Sequence, residues 1–223
     1  NLSVSYSNSG GLMFVWGHGS RLIDEAGKSY LDTRNNVAHC GHGHARVVAA
    51  VQHQVATFNS NSRYLHPNMS VLAKRLAGLL PDPLQVVYFC NSGSEANDMA
   101  LRLARAYSGT QNTICVEGAY HGHTIACLEV SPYKYQHSKE FTLASPKKGC
   151  EFKTPGKHIW QVPCPNTYRG PYQDMETAGK QYAKSVEEAC DYFTKERKER
   201  VAAWIVEGGS SVGGVILPPP EYL

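Results

Sequence analysis

The stretch from Gln85 to Val116 constrains this chain more than any other part of it. Gln85 to Phe89 is a compact run of β-branched and aromatic residues, the composition of a buried strand. Asn91-Ser92-Gly93-Ser94 follows at once, and an apolar pattern of helical period then runs from Glu95 to Tyr107. Ser92 and Glu95 have the spacing of a capping box, and Gly109 stands where a C-terminal cap belongs. Thr113 to Val116 is a second short apolar run. Strand, helix and strand in that order predict a right-handed βαβ unit, and with it an α/β fold built on a mostly parallel sheet.

The flanking pattern extends this frame. Leu12 to Trp16, the turn at Asp24-Glu25-Ala26-Gly27 and the returning Tyr30-Leu31 predict a hairpin over residues 12–32. Val47, Val48, Val51, Val55 and Phe58 share one helical face within 45–58. A second helix is expected from Asn68, with Val71, Leu72, Leu76, Leu79 and Leu80 as its stripe and Pro81 as its stop. Residues 131–175, rich in Pro, Lys and Tyr, read as a long surface excursion holding one strand at His158 to Val162. A helix over Glu176 to Arg197 turns Tyr182, Val186, Ala189 and Phe193 inward. Ala202 to Val206 then makes another buried strand, ending at Glu207 and the glycines Gly208, Gly209, Gly213 and Gly214.

Composition excludes several classes of protein. The 223 residues are 42% hydrophobic and 18% charged, a globular balance. A net charge of +3, spread along the chain, gives no footprint for nucleic acid or an anionic membrane. No stretch has the apolar length of a membrane span. The first eleven residues form a polar Ser/Asn run without the marks of a secretory signal, and the sequence does not begin with Met. Seven irregularly spaced cysteines, several inside apolar runs, read as buried free thiols in a reducing compartment.

Three places can carry chemistry. At Asn91-Ser92-Gly93-Ser94-Glu95 a predicted strand meets a helix N-terminus. The first N–H groups of a helix have no partner within it, the helix dipole adds positive charge, and Gly and Ser let an anion approach. This is a cup suited to phosphate, unlike the GxxxxGK[ST] or GxGxxG loops of nucleotide sites; a plain N-cap turn is the alternative. Tyr120-His121-Gly122-His123 lies beyond the end of a predicted parallel strand, where ligands of open α/β sheets collect and where an aromatic side chain can meet a flat ligand; local packing of these rings is the alternative. Glu207 ends another such strand and suits a ligand's polar edge, or equally a salt bridge or helix cap. His39-Cys40-Gly41-His42-Gly43-His44 offers several metal-ligand types, but its spacing fits no zinc pattern and it reads as a loop wall.

Taken together, these segments resemble the class III aminotransferase family of pyridoxal-phosphate (PLP) enzymes. The resemblance is carried in order by Val15-Trp16-Gly17-His18-Gly19, Asp24-Glu25-Ala26-Gly27-Lys28-Ser29-Tyr30-Leu31-Asp32, Gly41-His42-Gly43-His44, Asn91 to Asn97, Ala119-Tyr120-His121-Gly122, and Glu207 with Gly213-Gly214 and Pro218-Pro219. Asn36-Val37-Ala38-His39, Asn59 to His66, Ser131-Pro132-Tyr133-Lys134 and Thr167-Tyr168-Arg169-Gly170 are similar to the alanine–glyoxylate aminotransferase 2-like subgroup, which includes phospho-lyases of ethanolamine phosphate and phosphohydroxylysine. Where typical members carry Glu-Pro, this chain has Glu207-Gly208.

The resemblance implies the fold type I architecture of PLP enzymes and a homodimer. Residues 1–60 would form an N-terminal segment belonging to the small domain, and 61–223 an incomplete large domain. Ser92, Gly93 and Ser94 would hold the phosphate of pyridoxal 5'-phosphate, Tyr120 would stack on its ring beside His121, and Glu207 would lie near the ring's polar edge. The substrate would be a small amine, in an intracellular compartment, mitochondrial or cytoplasmic. A phospho-lyase would release phosphate, ammonia and an aldehyde from a phosphorylated primary amine, with Arg63, Arg169 and Lys134 as candidates for the substrate phosphate. A transaminase moving an amino group to a 2-oxo acid, or an inactive fragment, are the other expectations. The family's catalytic lysine and the aspartate facing the pyridine nitrogen have no counterpart here, since no lysine follows Lys198. No catalytic residue is therefore assigned, and the 223 residues alone are expected to be inactive.

Overall fold

The computed structural model describes residues 11–34, 37–133 and 156–223. The chain forms two compact units, Asn1–Gln85 and Val86–Leu223. Residue 60, the boundary expected from sequence, lies within the first.

In the first unit the expected hairpin is a three-stranded antiparallel meander: β1 (Phe14–His18), β2 (Arg21–Asp24) and β3 (Ser29–Leu31). A tight turn at Gly19 splits the first half of the reading into two strands. Asp24 builds the next turn by accepting from the N–H groups of Ala26 and Lys28 and from the Tyr30 hydroxyl. These bonds, led by the one from Lys28, hold its carboxyl below the ordinary range. The His42 loop bridges back to Gly19, and His42 Nε2 lies 2.7 Å from Asp32 Oδ2. Helix α1 (Ala45–Thr57) follows, then α2 (Pro67–Ala77), which starts on His66 as cap with Pro67 in the first turn. It ends before Pro81, and neither helix has a buried residue.

The second unit is a three-layered α/β arrangement. Its sheet has the order β5-β4-β6, all parallel, with β4 (Thr113–Val116) between β5 (Ile159–Val162) and β6 (Ala203–Ile205). Central β4 is buried at every residue, and alternation splits it between two cores. Ile114 and Val116 pack with Val162, Ala189 and Phe193 on the side of α5 (Ala178–Asp191), which continues into a π-helical turn, Tyr192–Glu196. Cys115 packs with Leu101, Cys127 and Val130 on the side of α3 (Gly93–Ser108) and α4 (Ile125–Glu129). Burial pushes the Cys115 thiol up to about 12. The expected inward face is seen, with Tyr182 and Ala189 of α5 and Phe193 of the π-helical turn buried and Val186 partly buried.

One expected strand is absent. Residues 84–90 form no regular element and make no ladder, and Val86, Tyr88 and Phe89 are exposed. Both sides of β4 are taken by β5 and β6, so the run has no partner there, and propensity alone does not make a strand. The βαβ unit expected around α3 is thus replaced by pairing of β4 with two strands much later in the chain. The described cysteines are free: Cys115 and Cys127 are buried, Cys90, Cys164 and Cys190 half-buried, and Cys40 exposed. Cys150 and Lys134 lie outside the described residues.

Candidate functional site

Parallel strands deliver their C-terminal ends to one rim of a sheet, and two loops of the second unit leave that rim together. One runs from β4 through Tyr120, His121, Gly122 and His123 into α4. The other leaves β6 at Glu207. The N-terminus of α3 completes the group.

Local rules set the start of α3. Ser92 is extended, and its Oγ accepts the Glu95 N–H at 3.1 Å, so it is the N-cap. Glu95 reaches back one residue further than a capping box, taking both the N–H and the amide of Asn91 on Oε2 at 2.8 and 2.9 Å. The N–H groups of Gly93 and Ser94 have no carbonyl one turn earlier to bond. The space over Gly93 is open: a Cβ built there would meet nothing within 4 Å. These two amides and the Ser94 hydroxyl form an anion cup, with the positive end of a 16-residue helix behind it.

The Tyr120 loop lies directly against this cup. Ser94 Oγ accepts the His123 N–H at 3.1 Å, and Asn97 Nδ2 donates to the His121 carbonyl at 2.8 Å. Gly122 makes the approach possible, for its φ is 134° and a Cβ there would lie 2.7 Å from Ser94 Oγ. His121 donates its N–H to Ser131 Oγ, and its ring is buried with no hydrogen-bond partner for Nε2. Burial lowers its pKa, and the nearby Glu207 carboxylate offsets part of that. The half-buried Tyr120 ring stands edge-on to Tyr133 at 4.9 Å and to His123 at 5.1 Å.

Glu207 ties the two loops together. Its Oε1 accepts the Tyr120 N–H at 2.9 Å and its Oε2 the Ser211 N–H at 2.8 Å. Both oxygens therefore face backbone, where the sequence reading placed a ligand's polar edge.

A profile for "Aminotransferase class-III" matches residues 4–223. The chain belongs to the class III aminotransferase family. The fold is that of the PLP-dependent fold type I enzymes, and the family's cofactor is pyridoxal 5'-phosphate. Over 215 residues, 95% of the chain is 42% identical to an alanine–glyoxylate aminotransferase 2-like protein of Drosophila melanogaster, covering 41% of that protein. It is 37% identical over 211 residues to ethanolamine-phosphate phospho-lyase homolog 1 of Caenorhabditis elegans, covering 90% of this chain and 42% of that one. A solved Arthrobacter phospholyase in complex with phosphoethanolamine superposes with a TM-score of 0.78 at 27% identity, over 95% of this chain and 46% of its own. The chain thus spans less than half the length of these relatives.

In this class III aminotransferase chain the residues present fit the phosphate and ring of the cofactor. The space over Gly93 is open, and Tyr120 is joined to Ser94 through His123. Of the residues named from sequence, the second unit brings Ser92, Gly93, Ser94, Tyr120, His121 and Glu207 into one connected group. Ser92 is occupied as the helix cap. Arg63 belongs to the first unit, where its N–H donates to Asn61 Oδ1. Arg169 sits in the loop after β5 with its guanidinium over Tyr168, 5.6 Å from the ring centre. Asn97 and Ser131 were missed as site residues, because a polar side chain that buttresses a distant loop leaves no local pattern. Among the described residues no group of three or more His, Cys, Asp or Glu is placed to hold a metal ion, and no helix is long and apolar enough to cross a membrane.

Proposed function

We propose that this chain is the cofactor-phosphate and ring-binding part of a PLP enzyme, and that the enzyme is a phospho-lyase acting on a phosphorylated primary amine. The observation that carries the reading is the contact between the α3 cup and the Tyr120 loop through Ser94 Oγ and the His123 N–H. Bound there, pyridoxal phosphate supplies an electron sink for the electrons left when a bond to an amine's α-carbon breaks. The Gly93 and Ser94 amides and the Ser94 hydroxyl bind the phosphate. Tyr120 would hold the ring, and Glu207 holds the Tyr120 backbone in place. His121, buried and held below its ordinary pKa by burial, stays uncharged at neutral pH. In the net reaction the phosphorylated amine takes up one water and yields an aldehyde, ammonia and phosphate.

Release of phosphate is favoured over amino transfer by the Glu207-Gly208 pair, by 37% identity to a phospho-lyase homolog, and by the likeness to a phospholyase solved with phosphoethanolamine. Transfer of an amino group to a 2-oxo acid is the second reading, favoured by 42% identity to an alanine–glyoxylate aminotransferase 2-like protein. Arg63 and Arg169 are the cations proposed for the substrate phosphate. A homodimer in a mitochondrial or cytoplasmic compartment belongs to the same reading, supported by the family resemblance and the free thiols. The test is to supply the enzyme that carries this chain with O-phosphoethanolamine, phosphohydroxylysine, and alanine with glyoxylate. Phosphate and ammonia released in equal amounts from a phosphorylated amine support the lyase. Amino transfer to glyoxylate without phosphate release supports the second reading and overturns the first.

A further inference from the structure

Tyr120 is fixed at three points. Its backbone N–H is on Glu207, its ring meets the Tyr133 ring, and its hydroxyl lies 2.6 Å from His123 Nδ1. His123 is itself held at its backbone, where the N–H donates to Ser94 Oγ. A single exposed residue thus spans from the phosphate cup to the far end of the tyrosine ring. The Ser94 hydroxyl has one proton and two lone pairs. With a lone pair engaged by His123, its proton remains free to donate to an anion in the cup.

We propose that His123 is a positioning residue, setting the tilt of the Tyr120 ring relative to the anion cup at Ser94. The inference rests on the reading that α3 takes a phosphate and Tyr120 a flat ring. A phenol held only at its backbone rotates about two side-chain bonds. The bond to His123 Nδ1 removes that freedom before a ligand arrives, so less is lost when the ligand binds. The bond forms with either His123 tautomer, as the phenol can donate to a bare Nδ1 or accept from a protonated one. The Ser94 bond then fixes where the imidazole starts, so the distance from cup to ring is set by one residue. As a solvated loop side chain without this role, His123 would leave binding untouched when replaced.

The test is a double-mutant cycle read by binding to the cofactor-free form of the enzyme that carries this chain, with pyridoxamine 5'-phosphate and inorganic phosphate titrated separately. His123→Leu is expected to weaken pyridoxamine 5'-phosphate by about three- to tenfold, the effect of one hydrogen bond, and to leave inorganic phosphate within about twofold. His123→Asn, which restores an acceptor near Nδ1, should recover most of the loss. Tyr120→Phe removes the same bond from its other end, so adding His123→Leu to it should cost nothing further. Wild-type affinity in His123→Leu, or losses that multiply in the double variant, would overturn the role of His123 alone. If His123→Leu does not fold by circular dichroism, Tyr120→Phe carries the test, and wild-type affinity in that variant overturns the proposal. Folded wild-type enzyme that binds no pyridoxamine 5'-phosphate overturns the cofactor reading itself.

Discussion

Glu207 holds two backbone amides on one carboxylate, and each belongs to a different loop. Replacing it by Ala leaves the Tyr120 and Ser211 N–H groups without their acceptor at a half-buried position. We expect Glu207→Ala to lower stability by about 1.5–3 kcal/mol, the range for hydrogen bonds to a charged group, measured as a fall in the urea midpoint at unchanged slope. That Glu207 ends a strand at the ligand-bearing rim was legible in the sequence. That its oxygens face amides was not, because both partners are brought in by loops whose paths only the folded sheet decides. His121 gives a pH dependence with a definite sign. Burial holds its pKa below the ordinary 6.5, so the unfolded chain binds the proton more readily. Its contribution is fully present above about pH 6.5 and is lost as pH falls from there toward the lowered value. The urea midpoint should drop across that window, and His121→Phe should flatten the drop. A midpoint that rises on acidification from pH 7 to pH 5.5 would contradict the buried neutral imidazole.

At the scale of elements, α3 was read almost residue for residue, because its signals are local. The Ser92 cap and the left-handed Gly109 at φ 72° bracket the helix where the sequence places them. Ser92→Ala should cost about 1 kcal/mol through the lost cap, and Gly109→Ala a similar amount through a side chain forced into the left-handed region. Both are read in thermal unfolding, and additivity is expected because the sites lie at opposite ends of the helix. Helix α5 and the turn that continues it were legible for the same reason, with the inward face set by Tyr182, Ala189 and Phe193. The run at Gln85–Phe89 was misread because a strand is a property of two segments. Its residues carry β propensity, but β4 finds its neighbours in Ile159–Val162 and Ala203–Ile205, and no local pattern announces which of several apolar runs will pair. The meander at β1–β3 shows the milder form of this, where a turn at Gly19 divides what reads as one arm of a hairpin.

At the scale of the molecule, the well-packed part is the second unit's sheet with α3, α4 and α5 around it, and large apolar side chains lie open elsewhere. On α1, Val47, Val51 and Val55 are 49–63% exposed, on α2 Val71 and Leu72 are 59% and 47%, and in the second unit Val86 and Tyr88 are 81% and 65%. The stripes that make these helices amphipathic are therefore presented to solvent within their own unit. Exposed apolar side chains in this number drive association, and edge strands such as β5 and β6, each paired on one side among the described residues, add unpaired backbone groups. The 223-residue chain on its own should therefore sediment at well above the 24.5 kDa of a monomer at micromolar concentration, and should bind an apolar dye. The two sources of association are separable. Val86→Lys with Tyr88→Lys charges the unpaired run and leaves the helices alone, whereas Val51→Lys with Val55→Glu charges the α1 stripe. If apolar surface is the cause, each pair shifts sedimentation toward the monomer while circular dichroism keeps its helical signal, since none of the four residues is buried. Association that persists unchanged in both variants would place its origin in the sheet edges instead, where a charged side chain cannot cap the free N–H and C=O groups of β5 and β6.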